Sequence, residues 1–217
     1  MIVEARRPNH PPKPTLCFTS SDLEDVVPHE DYLVVLSVLI VRRKVHRVLI
    51  DQGSSADVMF WLTFNNLQLS PDQLKSYDGC LFGFVGDQVE VRGHVELRTI
   101  FSNGTSARTI NIKYIVVNAI STYNFLLGRP SLNRLGVMSS MRHMKIKLSS
   151  LDGGVFTIKS DQKMARKCYK GSLKSIRGMH SINTQSLFRR ESQRRSYKLK
   201  LLAKGDLNLL VRSRKKK

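Results

Sequence analysis

The run Val48-Leu49-Ile50-Asp51-Gln52-Gly53-Ser54-Ser55-Ala56 constrains the fold of this chain more than any other stretch. Arg47 to Ile50 is β-branched and aliphatic, the pattern of a buried strand. That strand ends on a carboxylate. Gly53 follows where a tight reversal needs a residue without a side chain. Ser54 and Ser55 can hydrogen-bond nearby backbone and brace the loop. An ionisable acid at the end of an apolar strand costs free energy unless it has a partner or a chemical task.

Around this segment the chain reads as many short strands separated by turns. Tyr32 to Ile40 is apolar and β-branched, and Arg42-Arg43-Lys44 is expected to turn it into Val45 to Ile50. Asp57 to Leu67 has its apolar residues spaced for a short helix or an irregular packed turn. Ser70 and Pro71 fit a cap and first position of a helical turn. Leu81 to Val85 and Gln88 to Arg92 flank Gly86-Asp87 as a hairpin. His94 to Phe101 and Thr109 to Val117 are two further strands, with Asn103-Gly104 as a turn between them. Phe125 to Leu127 is another, followed by a helix from Pro130 to Leu135 that Gly136 would end. Met144 to Leu148 and Val155 to Ile158 flank Asp152-Gly153-Gly154. The sum is a mostly β domain, a closed or sandwich-like barrel with one or two short helices.

A second segment, Tyr123-Asn124-Phe125-Leu126-Leu127-Gly128-Arg129-Pro130, repeats the theme of an apolar strand ending at glycine. Taken together, Asp51-Gln52-Gly53 and Leu126-Leu127-Gly128-Arg129 resemble the two signatures of the retropepsin-like aspartic proteases. The chain is most similar to the protease region of plant Ty3/gypsy-type Gag-Pol polyproteins. The similarity runs from about Pro28 to Tyr169 and includes Asp57-Val58-Met59-Phe60-Trp61 and Pro130-Ser131-Leu132-Asn133-Arg134. It implies a single-lobe closed barrel and hydrolysis of peptide bonds by two aspartates that share a proton across a water. With Asp152-Gly153-Gly154 lacking a strong apolar strand before it, the second aspartate would come from a second copy of the chain.

The resemblance implies roles by position. Asp51 would be the catalytic acid and base of each protomer, with Gln52, Gly53, Ser54, Ser55 and Ala56 as its supporting loop. The Ser54 hydroxyl would bond the outer carboxylate oxygen. Gly128, after Leu126 and Leu127, would pack beneath that loop, and Arg129 would pair within the dimer or the domain base. Gly83, Phe84, Val85, Gly86 and Asp87 would form a flap closing over an extended peptide, which binds as an added strand. Gln52 departs from the Thr or Ser usual at its position. A Gln amide cannot easily reproduce the compact hydroxyl network between partner loops, so weakened catalysis is the alternative expectation.

Charge divides the chain. Of the net +19, residues 163–217 carry +16, with 18 Lys and Arg against Glu191 and Asp206, leaving +3 for the 162 residues before them. The expected organisation is a Pro-rich and acidic arm over 1–27, the protease domain over 28–162 and a basic extension over 163–217, disordered or partly helical. Such a polycation suits RNA or DNA through phosphate contacts, or has no partner. No apolar run reaches the roughly 18 residues of a membrane span, and the polar, proline-bearing start does not read as a secretory signal. Cys17, Cys80 and Cys168 are distant and odd in number, which suggests reduced thiols and a cytoplasmic setting, within particles of a retroelement or, from the tail, the nucleus. Neither a metal nor another cofactor is expected, and His46, His94 and His143 read as strand or surface residues.

Overall fold

The computed structural model describes residues 14–28, 32–83, 88–150 and 152–181, the last ten by backbone only. The first hairpin pairs β1 (Val35–Ile40) with β2 (Arg43–Ile50), antiparallel. Its turn is Val41-Arg42, both at positive φ (50° and 61°), one step earlier than expected; Arg43 and Lys44 already belong to the ladder. Two left-handed residues twist a hairpin in the sense its strands prefer, here at the cost of placing a β-branched valine in that region. The segment after the Asp51 loop is first a strand, β3 (Asp57–Phe60), and only then a helix, α1 (Trp61–Asn66). All four β3 residues are buried, so the segment has no alternation to mark it as a strand.

Ser70 caps a 3-10 turn at Pro71–Gln73, and β4 (Leu81–Phe82) pairs with β5 (Gln88–Val89). The long hairpin β6 (Val91–Ser102) and β7 (Ala107–Val117) turns at Asn103, whose side-chain oxygen takes the N–H groups of Thr105 and Ser106. Next come β8 (Phe125–Leu127) and α2 (Arg129–Leu135), which ends at Gly136 in the left-handed conformation. Then follow β9 (Met138–Ser140), β10 (Lys145–Ser149), β11 (Val155–Lys159) and a 20-residue helix, α3 (Gln162–Ser181). Both β9 and the length of α3 go beyond the sequence expectation.

Six strands close into a barrel in the order β1-β2-β8-β3-β7-β6. Two of its seams are parallel, β2 with β8 and β3 with β7; the rest are antiparallel. Closure leaves these strands no free edge. The interior is filled by Leu36, Val48, Met59, Phe101, Ile112, Tyr114, Phe125 and Leu127, all at most 1% exposed. Beside the barrel lies the three-stranded sheet β11-β10-β9. The segment 14–28 is strapped to this sheet. Lys147 Nζ pairs with Asp22 at 2.8 Å, Lys145 Nζ donates to the Asp22 carbonyl, Lys159 pairs with Asp25, and Phe18 stacks on His143. Gln162, opening α3, exchanges two hydrogen bonds with the Val27 backbone, and Ala165 and Cys168 bury the near face of that helix. Among the described residues no helix is long and apolar enough to cross a membrane.

Candidate active site

Strands β2 and β8 run parallel with Ile50 opposite Leu127, so Asp51 and Gly128 emerge side by side at their C-terminal ends. Asp51 donates its N–H to the Leu127 carbonyl at 2.9 Å. The chain then turns at once. Asp51 Oδ1 accepts the N–H groups of Gly53 (2.9 Å) and Ser54 (3.2 Å), and the Asp51 carbonyl also accepts from Ser54. This is an Asx-type turn, in which the side chain organises the reversal that its own position requires. The Ser54 hydroxyl does not reach the carboxylate as the sequence comparison suggested. It is fully buried and donates to the Ala56 carbonyl at 2.7 Å; the Ser54 backbone N–H bonds Asp51 instead.

The floor of the loop is the turn after β8. A Cβ on Gly128 would lie 2.8 Å from the Ser54 carbonyl oxygen and closer still to that of Ala56, so no larger residue fits without moving backbone. Arg129 donates its N–H to the Ser54 carbonyl (2.9 Å), and its guanidinium donates to the carbonyls of Gly53 (2.8 Å) and Gln52 (3.3 Å). Within one chain, then, Arg129 grips the loop itself. Leu126 and Leu127 are wholly buried, Ala56 is buried and Ser55 half-buried, while Gln52 stands exposed at the loop tip.

Asp51 is 9% exposed, and burial pushes its carboxyl up to about 6 despite the Gly53 and Ser54 N–H bonds and the nearby Arg129. Its Oδ2 is buried with no hydrogen-bond partner, the one such side-chain oxygen or nitrogen among the described residues. Asp57 makes the contrast. It is 4% exposed, yet Oδ1 takes the Gly128 N–H (2.8 Å) and Oδ2 the Ser131 hydroxyl (2.7 Å). Burial raises its carboxyl to about 6 as well, against the pull of those bonds. Of two buried carboxylates at one turn, one is satisfied and the other keeps an oxygen open. Sequence reasoning passed over Asp57; its place inside the apolar run Ala56 to Phe60 was the signal that it is buried.

Gly83 is half-buried just after β4, and Phe84, Val85, Gly86 and Asp87 lie outside the described residues. Asp152 is exposed, in the turn between β10 and β11, with its carboxyl held low by the Ser150 side chain. His46 bonds Ser37, His94 bonds the Ser76 carbonyl, and His143 bonds Ser140. Trp61 stacks on Phe64 with Arg92 over its ring. Cys80 is half-exposed and accepts from Gln88. The described residues contain no cluster of three His, Cys, Asp or Glu that could hold a metal.

No protein-family model matches the chain, and no curated protein does. Solved structures similar to it include the retroviral protease-like domain of Ddi1 from Leishmania major, with 14% identity over 61% of this chain and 98% of that one, TM-score 0.46. The EIAV protease in complex with the inhibitor HBY-793 shares 23% identity over 54% of this chain and all of that one, TM-score 0.41. A retropepsin-like aspartic protease from Rickettsia conorii shares 16% identity over 49% of this chain and 75% of that one, TM-score 0.36.

Proposed function

We propose that this chain is an aspartic endopeptidase whose reacting centre is completed by a second copy of itself. The observation that carries the reading is Asp51: a buried carboxylate fixed by two backbone N–H groups through one oxygen, with the other oxygen unpartnered. Orphaned buried oxygens are rare and call for a chemical reason. A second carboxyl facing Oδ2 across a water supplies one. Two such groups cannot both ionise, so one acts as base toward the water while the other, protonated, polarises the scissile carbonyl and later protonates the leaving amine. The raised carboxyl of Asp51 favours the shared proton at mildly acidic pH. The Asp51 and Gly128 signatures support a retroelement polyprotein of the Gag-Pol type as substrate, cleaved in extended apolar segments within the cytoplasm or a particle. The basic 163–217 segment is proposed to hold RNA or DNA by phosphate contacts, a binding that would weaken steeply with added salt.

A second reading is favoured by Gln52, which is exposed and bonds Arg129 through its carbonyl: a retropepsin-fold dimerisation or peptide-binding module with little catalysis. One experiment separates the two. The purified chain is incubated with a Gag-type polyprotein at about pH 5, with and without a pepstatin-type inhibitor. Cleavage that the inhibitor blocks, that D51N abolishes and that Q52T strengthens supports the endopeptidase. A dimer inert in both wild type and Q52T supports the module, and cleavage that survives D51N overturns the role of Asp51.

A further inference from the structure

Peptide hydrolysis at Asp51 gives no task to the second buried carboxylate, Asp57. Asp57 opens β3 and faces the turn between β8 and α2, where it takes the Gly128 N–H and the Ser131 hydroxyl. A carboxylate accepting from two buried donors belongs to the stronger class of hydrogen bond. What it holds is the centre of a three-residue lace. Before Gly128, the Leu127 carbonyl accepts the Asp51 N–H. After it, Arg129 reaches the carbonyls of Ser54, Gly53 and Gln52. Between them, the Gly128 α-carbon lies against the carbonyls of Ser54 and Ala56, too closely for any side chain. Every residue of the loop from Asp51 to Ser54 is thus tied to 127–129, and Asp57 seats the middle residue of that segment from the other side.

We propose that Asp57 is a positioning residue for Asp51: by holding Gly128 and Ser131 it fixes the level at which the Asp51 loop hangs. The consequence for catalysis rests on the reading of Asp51 as the reacting carboxyl; the consequence for loop geometry does not. Asp57→Asn keeps one acceptor oxygen for the Gly128 N–H, and its amide donates to a Ser131 hydroxyl that rotates to accept, at the loss only of the weaker contact with the Ser131 N–H. Asp57→Ala loses them all, and Ser131→Ala loses the hydroxyl bond.

Three readouts on the full chain test this. Amide exchange is read at Gly53 and Ser54, which Asp57 does not touch, against Ile112 in β7 as the measure of global opening. The Asp51 carboxyl is titrated by carbon-detected NMR. Polyprotein cleavage gives kcat and KM. In D57A, and more weakly in S131A, exchange at Gly53 and Ser54 quickens at least about tenfold with Ile112 unchanged. The Asp51 titration drops by about one pH unit toward the ordinary carboxylate value, because a loosened loop admits water. The kcat falls at least about tenfold with KM within about threefold, and D57N restores all three. Quickening confined to Gly128 and Ser131, with Gly53, Ser54 and the Asp51 titration as in wild type, overturns the proposal; so does equal quickening at every amide. If D57A does not fold, S131A decides by the same criteria. If the wild type cleaves nothing, the endopeptidase reading fails, and exchange with titration still decides the role of Asp57.

Discussion

At the scale of single residues, the turn around Asp51 leaves little freedom. Gly128→Ala forces a Cβ against two carbonyl oxygens that are themselves fixed by Arg129 and by the Ser54 turn. Overpacking against backbone costs about 2 kcal/mol or more, so the denaturant midpoint should drop clearly and cleavage should be lost with it. A fully stable, active G128A would show that the floor moves freely. The two buried carboxyls make a second prediction. Both are raised to about 6 from an ordinary 3.8. A group whose folded value lies above its unfolded one stabilises the fold while it is protonated, and that stabilisation is lost as pH rises through the folded value. Stability should therefore fall by a few kcal/mol between about pH 4 and pH 7, and D51N should flatten part of the slope. Urea melts across that range read this directly; stability that rises with pH in the wild type contradicts it. What was legible here was what neighbouring residues dictate: an acid ending a strand, and before Arg129 a glycine that local sterics require. What was not legible was partnership over distance. Asp57 bonds residues 71 and 74 positions away, and the Ser54 hydroxyl turns inward for a reason set by Ala56 and the floor beneath it.

At the scale of elements, strands with a water-facing side announced themselves, as in β6, whose buried and exposed residues alternate along most of its length. β3 did not, because a run buried on both faces fits a helix as well as a strand. The barrel order was equally hidden, since its parallel seams join segments far apart in sequence that share no turn. The arm expected over 1–27 shows only prolines and acids in the sequence, yet in its described part, from residue 14 on, the acids have partners. Lys147 holds the Asp22 carboxyl down at about 2, and Lys159 lowers that of Asp25. A depressed carboxyl contributes stability above its ordinary value and loses it as pH falls toward the folded one. The strap should thus hold at neutral pH and loosen in strong salt, where exposed pairs such as Lys159 with Asp25 are screened. Asp22→Asn should speed proteolytic clipping within 14–28 several-fold while leaving the barrel's denaturant midpoint nearly unchanged. Equal clipping of wild type and variant at all salt concentrations would remove the ionic account of the strap.

At the scale of the whole molecule, closure of the six-stranded barrel places one Asp51 loop per chain, and the described residues offer no second loop of the same build. Asp152 is exposed and Asp57 is fully bonded, so neither can share a proton with Asp51 in the same copy. Among the described residues, then, the aspartate that would face Asp51 has to come from a second copy of the chain. A site shared by two copies and a site within one chain differ in arithmetic. When wild type and D51N are mixed in equal amounts and allowed to exchange partners, random pairing leaves about a quarter of the dimers with two intact aspartates. Activity per total protein should then fall to about a quarter of that of the same concentration of wild type. If each chain carried a complete site, the mixture would retain about half. Dilution gives an independent reading, because a site built by two copies loses specific activity as the pair dissociates, whereas a site within one chain keeps it. A mixture holding at half, with specific activity flat on dilution, would leave the open oxygen of Asp51 without the partner proposed for it.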